Sequence, residues 1–306
     1  MSTSRAGLLY GVGAYALWGV IPLYIKLLEE TGAAEILSHR VVWSLVLVLG
    51  LLAAARNLGR LRTLGRRSYG LLTLAALLIC ANWGVYIWAV NNDHIVETSL
   101  GYFINPLVTV VLGVLVFGER LRRLQWAALG LAGVAVVILT IDYGRPPWIA
   151  LTLALSFGTY GLIKKKAGVD AVESLAVETA VLFLPALAYL VVLGARGTGD
   201  FAAAGWGTTL LLAGCGVVTA VPLLFFGAAA VRVPLTTLGT LQYLTPSLQF
   251  VLGVAVYGET VPPVRWLGFA LIWVALVVLT AEVLLHRRKV RRSAVDRLVL
   301  DPAGAG

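Results

Sequence analysis

Apolar runs of membrane-crossing length recur along the whole sequence, separated by short connections that carry most of its basic residues. A bilayer core about 30 Å thick is crossed by about 20 helical residues. Lipid offers no hydrogen-bond partner to the backbone, so only helices or closed barrels span it. The runs show no strand alternation and have helix-spanning length, which predicts an all-α polytopic membrane protein. Composition agrees: 59% of the 306 residues are hydrophobic and 13% charged, against about 25% charged in soluble domains. Ten spans are predicted, at 7–28, 35–55, 69–91, 96–117, 124–141, 147–164, 174–194, 206–230, 234–257 and 264–285.

The net charge of +9 raises the question of nucleic acid, but the basic residues sit between apolar segments and at the C-terminus, as topology signals do. With the N-terminus inside, the cytoplasmic segments hold 19 of the 24 Lys and Arg, among them Arg60, Arg120, Arg122, Arg123, Lys164, Lys165 and Lys166. The exceptions are Lys26, Arg40, Arg145, Arg196 and Arg265. Both termini are therefore expected in the cytoplasm. The first apolar segment is too long for the core of a cleaved signal peptide, and more spans follow it. Cys80 and Cys215 lie alone in separate spans and read as packing residues, with no metal or cofactor expected. The tail 286–306 begins with a basic cluster and is read as a weakly structured cytoplasmic anchor touching anionic lipid.

A repeat is visible at a shift of 140 residues. Pro106–Thr140 falls on Pro246–Thr280 with 15 of 35 positions identical, including the proline, a Gly-Glu pair (Gly118-Glu119 on Gly258-Glu259) and Trp126 on Trp266. A weaker match at 139 sets Lys26 on Lys165 and His39 on Glu178. Two units follow, 7–141 and 147–285, each of five helices. Five is odd, so the second unit is expected upside down relative to the first. Arg120, Arg122 and Arg123 give way to Thr260, Pro262 and Pro263 in the equivalent loop, as an inversion requires. Inverted repeats are frequent in secondary transporters, with the substrate site near mid-membrane.

The strings YALWGVIPLYIK (15–26), EILSHRVVWS (35–44), NWGVYIWAVN (82–91), SLGYFINPL (99–107) and LGTLQYLTPSLQF (238–250) resemble the RarD-like branch of EamA-domain proteins, within the drug/metabolite transporter superfamily. The resemblance covers about residues 7–285. It implies ten helices, a bacterial inner-membrane location and transport of small organic solutes; it names neither a substrate nor catalytic positions.

Polar residues within spans usually face a bundle interior or an aqueous cavity. Tyr102, Asn105 and Thr109 share one helical face, and polarity recurs at their repeat equivalents Gln242, Thr245 and Gln249. Pro106 and Pro246 are expected to kink these helices and free the carbonyls of Tyr102 and Gln242. The six polar residues read as cavity lining or, alternatively, as hydrogen-bonded glue between helices. Asn82 and Tyr86 add to the set, with Trp18 as an aromatic wall or a packing residue. His39, Glu178 and Glu97 are candidates for proton coupling, with helix-end placement as the plainer reading; Arg40 lies beside His39. Glu119 and Glu259 read as complements to helix dipoles.

The leading expectation is a carrier exporting small organic solutes by alternating access. Scarce fixed charge in the spans points to a neutral, zwitterionic or weakly basic solute over a polyanion. An enzyme is not expected, because no carboxylate, metal-ligand or nucleophile–base cluster is apparent. Sensor, assembly factor and channel stand as alternatives. The oligomeric state is left open between monomer and homodimer.

Overall fold

The structure is a computed structural model that describes residues 5–117, 121–230, 232–233 and 241–300. Gly118, Glu119, Arg120, residues 234–240 of the expected ninth span and the tail end 301–306 lie outside the described residues, as do the side chains of Lys165 and 286–300. The elements are helices: α1 (Arg5–Lys26), α2 (Ala33–Ala54), the short α3 (Gly59–Arg62), α4 (Arg66–Asn91), α5 (Ile95–Phe117), α6 (Arg123–Tyr143), α7 (Trp148–Ala167), α8 (Ala171–Arg196), α9 (Trp206–Ala230), α10 (Leu244–Val251) and α11 (Pro263–Leu300). A π-helical turn, Leu252–Val256, extends α10.

Among the described residues eight helices are long and apolar enough to cross a membrane, and Trp148–Lys164 and Leu244–Val256 are shorter apolar helices. Large apolar side chains such as Leu9, Leu77, Leu115, Ile141, Leu184 and Val191 stand exposed on them. Water would make such an exterior an aggregation surface, whereas lipid solvates it. The helix ends follow local chemistry. Gly197 closes α8 at φ 65, a left-handed turn that a side chain disfavours, and Thr198 N–H bonds back to the Leu193 carbonyl at 3.1 Å.

The chain divides into two units, 1–105 with 148–260 and 106–147 with 261–306. Each draws on both halves of the sequence. In the first, α2 packs on α8 and α9, α4 on α7 and α8, and α1 on α9 and α10. Small residues bring backbones close: a Cβ on Gly216 of α9 would stand 2.6 Å from the Trp43 carbonyl of α2, and one on Gly101 would stand 2.8 Å from the Ala150 carbonyl. In the second unit α6 packs antiparallel on α11. Ion pairs clasp both ends, Arg122–Glu282 at 2.5 Å and Arg265–Asp142 at 2.9 Å.

Several expectations change. The expected span 234–257 is, where described, a turn at Gln242–Tyr243 followed by α10. Pro246 thus falls in the first turn of α10, where its missing N–H breaks no helical bond. Pro106 lies inside the unbroken α5. The sixth span, expected to end at Lys164, continues as α7 to Ala167. The tail continues α11 as helix to Leu300, because no proline or glycine interrupts the sequence before Pro302. The Glu259 carboxylate does serve a helix start, but that of α5, accepting from the N–H groups of Ile95 (2.6 Å) and Val96 (2.9 Å).

Candidate functional site

The first unit holds a buried amide–aromatic cluster assembled from five helices. Asn82 of α4 is 1% exposed. Its amide donates to the Ser156 hydroxyl (2.9 Å) and the Leu153 carbonyl (3.1 Å) of α7, and its carbonyl accepts from the Tyr102 hydroxyl of α5 at 3.3 Å. Tyr102 meets Tyr86 edge-on, with centroids 5.9 Å apart, and Phe157 at 6.0 Å. The Tyr86 hydroxyl in turn accepts from Gln249 of α10 at 3.2 Å, and Gln249 also donates to the Trp18 carbonyl of α1 at 3.3 Å. One chain of contacts thus runs from α7 through α4 and α5 to α10 and α1.

Helix geometry sets its depth. Tyr102 lies seven residues into α5 and Asn82 nine residues before the end of α4, about 10–14 Å from the helix ends at 1.5 Å per residue. That is close to the middle of a core about 30 Å thick. Polar groups at this depth are costly unless satisfied, and Asn82 is satisfied on both its oxygen and its nitrogen.

Arg40 of α2 lies at similar depth, seven residues from the helix start, and is 7% exposed. Its guanidinium stacks 4.1 Å over the Trp83 ring. Among the described residues no carboxylate lies within 4 Å of it, and its Nε has no hydrogen-bond partner. An arginine at the centre of a span costs about 2.5–3.5 kcal/mol on insertion scales. A desolvated cation–π contact returns about 2 kcal/mol. The charge is left incompletely compensated.

Two further polar sites flank this cluster. Glu178 of α8, 2% exposed, accepts from Lys164 at 2.7 Å, Ser174 at 2.8 Å and Tyr160 at 3.1 Å. Lys164 also donates to Ser174. His39 stacks on Phe201 with centroids 4.8 Å apart and lies 3.9 Å from Glu35. Glu35 holds that loop in place by accepting from the N–H groups of Asp200 (2.8 Å) and Phe201 (3.3 Å).

The structure therefore brings together Asn82, Tyr86, Tyr102, Gln249 and, through its carbonyl, Trp18. Thr245 bonds the Tyr15 carbonyl at 2.8 Å, tying α10 to α1. Gln242 is half-buried in the turn before α10; Asn105 is half-buried; Thr109 is exposed and lies in the second unit. Glu97 is buried in the first turn of α5. The sequence does not single out Ser156, Lys164 as the partner of Glu178, or Glu35, whereas Trp83 stands beside Asn82 and Tyr86 as an aromatic wall. Arg40 is legible in the sequence as a charge that interrupts an apolar span beside His39. An apolar cleft of about 250 Å³, lined by Val48, Leu51, Val172, Leu175, Ala220, Leu223, Leu224 and Ala228, also lies in the first unit. Its aliphatic lining offers a solute no polar contact.

Spanning-length apolar helices and a buried polar cluster define a polytopic helical membrane protein. The model of the EamA-like transporter family matches this chain twice, over residues 5–141 and 146–281. Protein RarD of Streptomyces exfoliatus is 61% identical over 304 residues, covering 98% of this chain and 96% of that protein. An uncharacterized transporter of Vibrio cholerae is 45% identical, covering 95% of this chain and 97% of its own length. Protein RarD of Escherichia coli is 43% identical, with 94% and 97% covered. A solved crystal structure shares the fold at a TM-score of 0.60 and 20% identity, covering 94% of this chain and 99% of that one. The chain belongs to the EamA-like transporter family, in its RarD-like branch. It is a bacterial multi-pass membrane transporter of the drug/metabolite type.

Proposed function

We propose that this transporter is a secondary carrier of small organic solutes, exporting them by alternating access around a site built on Asn82, Tyr86, Tyr102 and Gln249. The observation that carries the reading is the chain of hydrogen bonds and one ring contact from Asn82 to Gln249 at mid-membrane depth, joined from both halves of the sequence. Asn105 and Gln242 extend the cavity lining. Ten spans in two inverted five-helix repeats, 7–141 and 147–285, supply the rocking halves, with both termini in the cytoplasm of a bacterial inner membrane. The double match of one family model supports the repeat.

Proton coupling falls to Glu178 and His39, with Glu97 as a third candidate. Protonating Glu178 would release Lys164, a change of charge that biases one state over another.

Counterflow of a solute into proteoliposomes tests the carrier reading. The substrate is first found by melting the purified protein against amino acids, metabolites, polyamines and drugs, since a ligand of the folded state raises the melting temperature. Asn82→Leu and Gln249→Leu are expected to abolish both binding and counterflow. Intact transport in Asn105→Leu/Gln242→Leu would remove those two from the lining. Intact transport in Gln249→Leu would remove the site.

A further inference from the structure

Arg40 differs from the half-buried lysines near the helix ends of the first unit. Lys26 has Asp93 at 2.5 Å and Glu29 at 3.4 Å, and Lys164 has Glu178 at 2.7 Å. Arg40 has no carboxylate within ion-pair reach among the described residues, and its only charge-directed contact is the face of Trp83. It stacks on Trp83, which lies one turn before Tyr86 on α4. The Tyr86 hydroxyl accepts from Gln249 and makes no other hydrogen bond among the described residues, so its own hydrogen is left to donate. The guanidinium and the phenol hydrogen thus attend one stretch of α4, the first over Trp83 and the second one turn on, where Tyr86 meets Tyr102 edge-on.

We propose that the carrier site recognises an organic monoanion, its carboxylate seated between Arg40 and the Tyr86 hydroxyl and its apolar body against Tyr102 and Trp83. The inference rests on the carrier reading above and deepens it. Charge decides the class. One fixed cation in a low-dielectric site neutralises one negative charge; a phosphate dianion would bring a second charge with no partner. Guanidinium and carboxylate also match as a two-toothed pair. A cationic solute would meet Arg40 as a like charge. The sparse fixed charge of the sequence favoured a neutral, zwitterionic or weakly basic solute over a polyanion; a monoanion keeps the exclusion of a polyanion and requires one carboxylate.

The test uses four probes of one shape: phenylacetate, phenylacetamide, phenethylamine and phenyl phosphate. Binding to the purified full chain is read as a melting-temperature shift and fitted to a dissociation constant. The expected order places phenylacetate tightest. Arg40→Gln weakens phenylacetate about 10- to 100-fold, the range for losing a charge-assisted hydrogen bond, and leaves phenylacetamide unchanged. Tyr86→Phe, which removes only the hydroxyl, weakens phenylacetate by about tenfold and serves should Arg40→Gln fail to fold. Without ligand, Arg40→Met is expected to melt no lower than the parent, because it removes an uncompensated charge; a purely structural arginine would lower it.

The amide or amine binding as tightly as the acid, phenylacetate binding undiminished in Arg40→Gln or Tyr86→Phe, or no probe binding the parent would each overturn the proposal. Counterflow separates this from failure of the carrier reading. A neutral or cationic solute carried in a Gln249-dependent way would leave the carrier standing and the anion site refuted.

Discussion

Asn82 is the residue on which the cluster turns, because its amide and its carbonyl reach different helices. Asn82→Leu would leave the Tyr102 hydroxyl without its acceptor, while Ser156 and the Leu153 carbonyl keep their bonds within α7. An unsatisfied buried group costs about 1–3 kcal/mol, so the variant should melt below the parent in detergent. Tyr102→Phe removes one bond and leaves a single acceptor open, and should cost about 1 kcal/mol. If the bond is real, the double variant will lose less than the sum of the two; strict additivity would show Tyr102 and Asn82 to be independent. Asn82, Tyr86 and Tyr102 were legible in the sequence because amides and phenols stand out in apolar spans. Ser156 was not, since serine is common in membrane helices and its meaning depends on a neighbour 74 residues away. The partner of Lys164 was not legible for a physical reason. A lysine at a helix end reads as a topology signal, and only the fold brings Glu178 to it.

Packing decides the next scale. Gly216 lets α9 approach the α2 backbone so closely that a Cβ would meet the Trp43 carbonyl at 2.6 Å. Gly216→Ala must push the two helices apart and should cost about 1–3 kcal/mol, measured as a lowered melting temperature. Glu259 works at the start of α5, where two backbone N–H groups have no helical partner of their own. Glu259→Ala should cost about 1 kcal/mol, as helix caps do, and Glu259→Gln less, because one acceptor oxygen remains. Burial pushes the Glu259 carboxyl above its ordinary value of 4.5, against the opposing pull of the Ile95 and Val96 N–H groups. The folded protein therefore holds this proton more tightly than the unfolded chain. Its contribution is full below 4.5 and is lost as pH rises through the raised value. Melting temperature measured against pH should fall over that interval in the parent relative to Glu259→Gln, and parallel curves would contradict the assignment. The recurrence of Gly-Glu in the two sequence halves was legible; which helix the glutamate caps was not, because sequence distance says nothing about a partner 164 residues away.

At the scale of the molecule, hydrophobic length alone locates the spans. The ends of α1, α2 and α4 to α9 fall within a few residues of the expected windows, because each apolar run stops at a charged or glycine-containing turn. Legibility fails where that contrast fails. The segment around Gln242 is polar within an apolar run, so a single span was expected where a turn and the short α10 are found. Past Leu285 the basic helix-forming tail carries α11 onward without an apolar signal. The two units of the fold also cut across the two sequence repeats, since packing partners are chosen by surface and not by order along the chain. Cysteines placed in the connection at 198–204 should label with an impermeant reagent from outside intact cells, and cysteines at 57–64 should label only after lysis, given cytoplasmic termini. The reverse pattern would invert the topology.

Counterflow in proteoliposomes, comparing the parent with Asn82→Leu and Gln249→Leu, tests the central claim most directly. The account predicts solute exchange in the parent and its loss in both variants, each inserted and folded. Exchange at the parental rate in either variant would place the transport path elsewhere in the protein.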